Sequence, residues 1–228
     1  MTETLIVGGL DVSVQHAKEL AWEYMNQPGQ WSYPAYDSYP GNGDRNSVGS
    51  QDALAAGLLN AGQNPLKTQY TFLKILEHID PLLRNKHLTG TLDQAGPETL
   101  SAIAELYGVL DGRKTPQLRL VKLAKILHLK RPGLLPLYDD NIWRCYGRLG
   151  KKRMDSVKAR SNTDYMTAWL PHIQKDLKDG LRRWTDIAAL APAGGPEVTP
   201  LRALDMVAWR LVEEKEPRKR KLLRRRLA

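Results

Sequence analysis

The side chains best suited to chemistry lie between Gln117 and Trp143, where Lys122 and Lys125 precede the aspartate pair Asp139-Asp140. Both aspartates stand where a helix should begin, just before Ile142-Trp143. A carboxylate at a helix start is kept ionised by the free N–H groups and the dipole. Facing a groove lined by Lys122, Lys125, Lys130 and Arg131, it could stabilise a developing cation or activate a nucleophile. The plainer roles are a helix cap for Asp139, with Asp140 as the competing cap, and a solvated helix face for the two lysines. Basic side chains that only contact phosphate fall between these readings.

These residues need helices to position them. The segment Gln117–Leu129 has Leu120, Leu123, Ala124 and Leu127 as one stripe, with Arg119, Lys122 and Lys125 on much of the other side. Pro132-Gly133 ends it, and a helix from Asp139 or Asp140 to Arg148 follows. Further helices are predicted over 13–26, 51–60, 68–79, 98–110, 163–177, 181–190 and 201–214, with Ser13 and Ser50 as caps and Pro97 and Pro116 as openers. In 68–79, Phe72, Ile75, Leu76 and Ile79 point inward. β-like pieces are short. The expected fold is all-α: a single globular bundle of about seven to nine helices over residues 1–214, with a turn region at 191–200. A Tyr/Gly-rich loop spans 27–50 and a basic tail 215–228. The loop is too long for an ordinary connection, and Trp31, Tyr33, Tyr36 and Tyr39 argue that it packs on something.

Charge is segregated along the chain. Residues 1–112 sum to −7, 113–160 to +11, 161–214 to −2 and 215–228 to +7. An acidic frame around one basic segment points to DNA or another nucleic acid as partner. Arg113, Lys114, Arg119, Lys130, Arg131, Arg144, Lys151, Lys152 and Arg153 are the candidate contacts, and Trp31, Tyr36 and Tyr39 the candidate stacking or ligand residues. No run approaches the ~18 apolar residues of a membrane span. Leu5–Leu10 is too short for a signal peptide. A cytoplasmic location and no membrane association are therefore expected. Cys145, the single cysteine, excludes an internal disulfide framework, and the five scattered histidines form no i,i+4 pair, so no metal or cofactor is expected. No phosphate loop, dinucleotide fingerprint or nucleophile elbow is present. Nothing in the pattern sets an oligomeric state.

Pro136-Leu137-Tyr138-Asp139 followed by Ile142-Trp143, after a basic helix, resembles the helix-hairpin-helix superfamily of DNA glycosylases. The resemblance covers roughly 30 residues, over 117–148. It implies Asp139 as the carboxylate supporting glycosidic-bond cleavage, Lys122 or else Lys125 as a Schiff-base lysine, and a base flipped from the duplex. The superfamily's Gly-x-Gly hairpin is replaced by Asp111-Gly112-Arg113-Lys114-Thr115-Pro116, and the turn to Asp139 is one residue longer. Over its whole length the chain resembles an uncharacterised family of actinobacterial α-helical proteins, through Tyr39-Pro40-Gly41, Asp52–Asn60, Lys125–Asp139 and Leu201–Trp209. That likeness implies no chemistry. Three functions follow as expectations: a nucleic-acid-interacting helical protein, in its sharper form a divergent glycosylase-like enzyme using Asp139; a non-catalytic helical module binding nucleic acid or an acidic protein; or an enzyme holding a small substrate under the Tyr-rich loop.

Overall fold

The computed structural model describes residues 3–150 and 161–216. The expected basic contacts Lys151, Lys152 and Arg153 and all but the first two residues of the tail lie outside the described residues. The described fold is mostly helical, with one small sheet. Strands β1 (Thr4–Val7) and β2 (Leu10–Ser13) form an antiparallel hairpin in which Leu5 faces Val12. Gly8 and Gly9, both at positive φ, make its two-residue turn. A Cβ on Gly8 would sit 2.9 Å from the Cys145 carbonyl oxygen, so close approach also demands glycine there. The hairpin was not anticipated: each strand has four residues and one inward side, too little for a period-2 signal.

Eleven α-helices follow among the described residues. They are α1 (Val14–Met25), α2 (Ser32–Ala35), α3 (Ala55–Leu58), α4 (Pro65–Leu73), α5 (Leu76–Leu83), α6 (Pro97–Tyr107), α7 (Leu120–His128), α8 (Asp140–Trp143), α9 (Asn162–Asp179), α10 (Leu181–Ala188) and α11 (Pro200–Lys215). Their starts follow local chemistry. Ser13 Oγ accepts from His16 N, Ser161 Oγ from Asp164 N and Thr199 Oγ1 from Arg202 N, while proline opens α4, α6 and α11. Two expected helices are broken. Residues 50–58 form a 3-10 turn (Ser50–Leu54) running into α3, and 68–79 divides at Ile75 between α4 and α5. After α8 the chain continues as a π turn, Arg144–Leu149.

The core gathers α1, α6, α7, α9, α10 and α11 around the fully buried Trp169 and Trp184. Helix α7 lies inside it, with eight of its nine residues buried, and here the structure corrects the sequence reading. Lys122 and Lys125, and Lys130 just beyond the helix, are buried rather than solvated. What covers them is the segment 36–64, a strap over α7. Lys122 Nζ donates to Gln63 O at 2.5 Å and Thr68 Oγ1 at 2.6 Å, and Lys125 Nζ donates to Leu59 O at 2.6 Å. Lys130 Nζ lies 2.8 Å from Asp52 Oδ1 and donates to Asn42 Oδ1 and Asp44 O. Arg131 donates to Arg45 O, Asn46 Oδ1 and Leu83 O. Gly41, at φ +55°, leaves the room that Asp52 occupies.

A buried cation without its acceptors is strongly destabilising, and so is the anion left behind. Replacing Lys130 by Met strands Asp52 in the interior. Urea denaturation should show a loss of roughly 3–5 kcal/mol for Lys130→Met. A loss below ~1 kcal/mol would mean that the pair behaves as an exposed one.

Candidate functional site

Asp139 is the N-cap of α8, and Asp140 is not. Asp139 Oδ1 accepts from Asn141 N and Ile142 N, both at 3.0 Å. Its other oxygen, Oδ2, lies 3.8 Å from Lys125 Nζ. Asp140 is exposed and pairs with Arg144. Burial lowers the affinity of Lys125 for its proton, and Asp139 partly restores it. The structure thus brings Lys125 and Asp139 together. Lys122 points elsewhere, to the carbonyl of Gln63.

Behind this pair is a charge cluster built by α11. Arg202 Nε donates to Asp37 Oδ1 at 2.7 Å and Nη2 to Asp37 Oδ2 at 3.1 Å, and Nη1 contacts Asp205. Its guanidinium carbon lies 5.3 Å from the Tyr24 ring centroid and 5.5 Å from that of Tyr36. Burial opposes the Arg202 charge, but Asp37, Tyr24 and Asp205 outweigh it and hold its proton firmly. Burial pushes the Asp205 carboxyl up to about 6, against the pull of Arg202. Arg202 and Asp205 were missed by the sequence reading. Their signal was a charged i,i+3 pair inside the apolar run LRALDMVAW.

The expected stacking residues are part of this interior. Tyr36 is fully buried, donates to Lys125 O at 2.6 Å and stacks on His128 with centroids 6.2 Å apart. Trp31 packs edge-on against Tyr24 and Trp209. Tyr39 donates to Gln51 O. None of the three stands free on the surface as a base platform: Tyr36 and Tyr39 dock the strap, and Trp31 packs ahead of it against Tyr24 and Trp209. Among the expected basic contacts, Lys130 and Arg131 hold the strap, Arg144 is tied to Asp140 and Glu216, and Arg113 donates to Val109 O.

Two side chains remain outward and unpaired: Lys114 and Arg119 have no hydrogen-bond or ion-pair partner among the described residues. They line a cleft of about 660 Å³ with Ala61, Gln63, Thr115, Pro116, Gln117, Val121 and Lys122. Two unpaired cations and no carboxylate face this space, with the buried Lys122 in its wall. The cleft opens at the start of α7, whose first turn holds no acidic residue, so free N–H groups add to the positive potential. Thr115 and Arg119 also border a recess of about 330 Å³ on the other side, walled by Tyr138, Tyr165, Asn162, Ser161 and the leucines 110, 118 and 120. Tyr138 and Tyr165 meet edge-on with centroids 5.2 Å apart. Asp111 fixes this recess by accepting from Asn162 N at 2.8 Å and Thr163 N at 3.0 Å. Asp139 borders neither space. Among the described residues no three His, Cys, Asp or Glu side chains converge as a metal site would require. No helix there is long and apolar enough to cross a membrane.

From α1 to α11 this architecture coincides with a defined protein family. The chain belongs to DUF6308, a family of unknown function whose model matches residues 17–212. No curated protein and no solved structure matches it. The match leaves out the N-terminal hairpin and includes the strap, the buried cations and both recesses.

His128 supplies a test of the interior. It is fully buried, its Nδ1 is 2.6 Å from Leu135 O, and burial together with Arg202 pulls its pKa down to about 4. The unfolded chain, titrating near 6.5, binds a proton between pH 6.5 and 4 that the fold does not. Its contribution to stability is therefore complete above pH 6.5 and lost as pH falls toward 4. Asp205, with its raised pKa, acts oppositely in this window in wild type and variant alike. His128→Gln should remove roughly 3 kcal/mol of the acid-induced loss. Urea midpoints from pH 7 to 4 would measure it, and parallel curves would show that His128 is protonated in the fold.

Proposed function

We propose that the protein binds nucleic acid through the cleft and recess on either side of the Thr115–Arg119 turn. The supporting observation is the cleft itself: Lys114, Arg119 and Lys122 around about 660 Å³ with no carboxylate in its lining. Phosphate is the anion that such a set of point charges, a guanidinium and helix N–H groups suits. The adjoining recess adds aromatic walls, Tyr138 and Tyr165, that suit a base or sugar attached to that phosphate. Because most of the basic helix is committed to the interior, the contact is carried by few cations. Affinity is correspondingly modest, with a shallow salt slope of about one unit per phosphate neutralised.

A second reading, a divergent glycosylase-like hydrolase, is supported by the Lys125–Asp139 pair, since Asp139 caps α8 with one oxygen and keeps the other on Lys125. Its chemistry requires a substrate to reach a carboxylate that borders neither recess. We therefore place binding first. On DNA carrying damaged bases, the hydrolytic reading expects abasic sites from wild type and none from Asp139→Asn. Equal yields would remove it.

For the binding reading, a 12-nucleotide single strand and the matching duplex are titrated across 50–200 mM salt. Lys114→Glu combined with Arg119→Glu should weaken binding by about tenfold or more and lower the salt slope by about two. Binding indifferent to salt, or unchanged in the double variant, would refute it.

A further inference from the structure

Helix α4 is amphipathic in the wrong sense. Its inward residues are Thr68, Thr71 and Phe72, and two of these are hydroxyl side chains turned to Gln117 O, Pro116 O and Lys122. Its outward stripe is Leu66, Tyr70 and Leu73, at the i, i+4, i+7 spacing that ordinarily marks a core face. They are 67%, 61% and 43% exposed, and Leu54 on the 3-10 turn packed against α4 is 60% exposed. These are four of the six large hydrophobic side chains exposed among the described residues. Scattered exposed leucines need no explanation, whereas a stripe gathered on two touching elements marks an interaction surface.

Charge around the stripe selects the partner. On the helical wheel Lys67 and Lys74 lie together on one flank, seven residues apart, and both are exposed. Helix α4 contains no acidic residue, and Asp52, the acid of the neighbouring 3-10 turn, is buried against Lys130. A second copy of this chain packed antiparallel, by a two-fold axis across α4, would set lysine flank against lysine flank, and the chain's own tail, with a net charge of +7 over 215–228, is repelled as well. We propose that the α4 face docks an amphipathic helical segment of another protein, with apolar residues at i, i+3, i+4 and i+7 and a row of carboxylates along one side. This surface is separate from the phosphate cleft, whose lining contains no residue of α4.

The test uses the full-length protein and a synthetic 16-residue helical peptide with leucines at that spacing and glutamates elsewhere. A second peptide carries lysine for every glutamate. Fluorescence anisotropy should show saturable binding of the acidic peptide and at least about tenfold weaker binding of the basic one. Leu66→Ser with Tyr70→Ser, and separately Lys67→Glu with Lys74→Glu, should each weaken the acidic peptide by about tenfold or more, with circular dichroism and the melting temperature unchanged. Lys114→Glu with Arg119→Glu should leave peptide binding intact, which separates this surface from the cleft. Absence of binding, equal binding of both peptides, loss of peptide binding in the cleft variant, or full binding by the α4 variants would each overturn the proposal. So would sedimentation of the protein alone as a dimer that Leu66→Ser with Tyr70→Ser dissociates.

Discussion

Removing a cation from water is tolerated only when protein oxygens take the place of the hydration shell. This molecule does so repeatedly along one stretch of chain. Lys122, Lys125 and Lys130 are buried, and each reaches across to the strap at 36–64. Arg202 does the same from α11 through Asp37. The acceptors are largely backbone carbonyls and amide oxygens, so the strap needs little regular structure of its own. Its shape is set by where ammonium and guanidinium groups must find oxygen.

The arrangement divides the basic segment into two populations. Cations on α7 and just after it serve the interior, while those on the turn before it, Lys114 and Arg119, remain outside and unpaired. The same turn borders the aromatic recess, which Asp111 anchors to the start of α9. Helix α7 therefore joins a rigid, saturated core to a small unsaturated edge. Of these two populations, the edge is the one whose charges are unspent.

Much of the helical frame was legible. The cap Ser13, the opener Pro97 and the apolar stripe Leu120, Leu123, Ala124, Leu127 express local chemistry and fall where the sequence places them; Asp139 takes the cap left open between it and Asp140, whereas Pro116 lies ahead of α7, which begins at Leu120, instead of opening it. The burial of Lys122 and Lys125 was not legible, because helical periodicity assigns one face to a core and assumes that the opposite face meets water. It has no means of representing a second layer. The aromatics of the 27–50 loop are the indication that such a layer exists: Tyr36 and Trp31 do dock, although inward rather than toward a ligand. Arg202 and Asp205 are hidden for a related reason: their one local indication is the apolar run LRALDMVAW around them, which charge spacing alone does not weigh.

The strap also has a temporal aspect. It is made early in synthesis, whereas its partners come late: Leu59 waits 66 residues for Lys125, and Asp37 waits 165 for Arg202. Until α7 and α11 have left the ribosome, the strap has carbonyls and carboxylates but none of the cations that hold it. Contacts of such separation are slow to close. The last of the described helices thus completes the binding of one of the first loops, so a nascent chain interrupted before residue 202 would leave Asp37 without its cation.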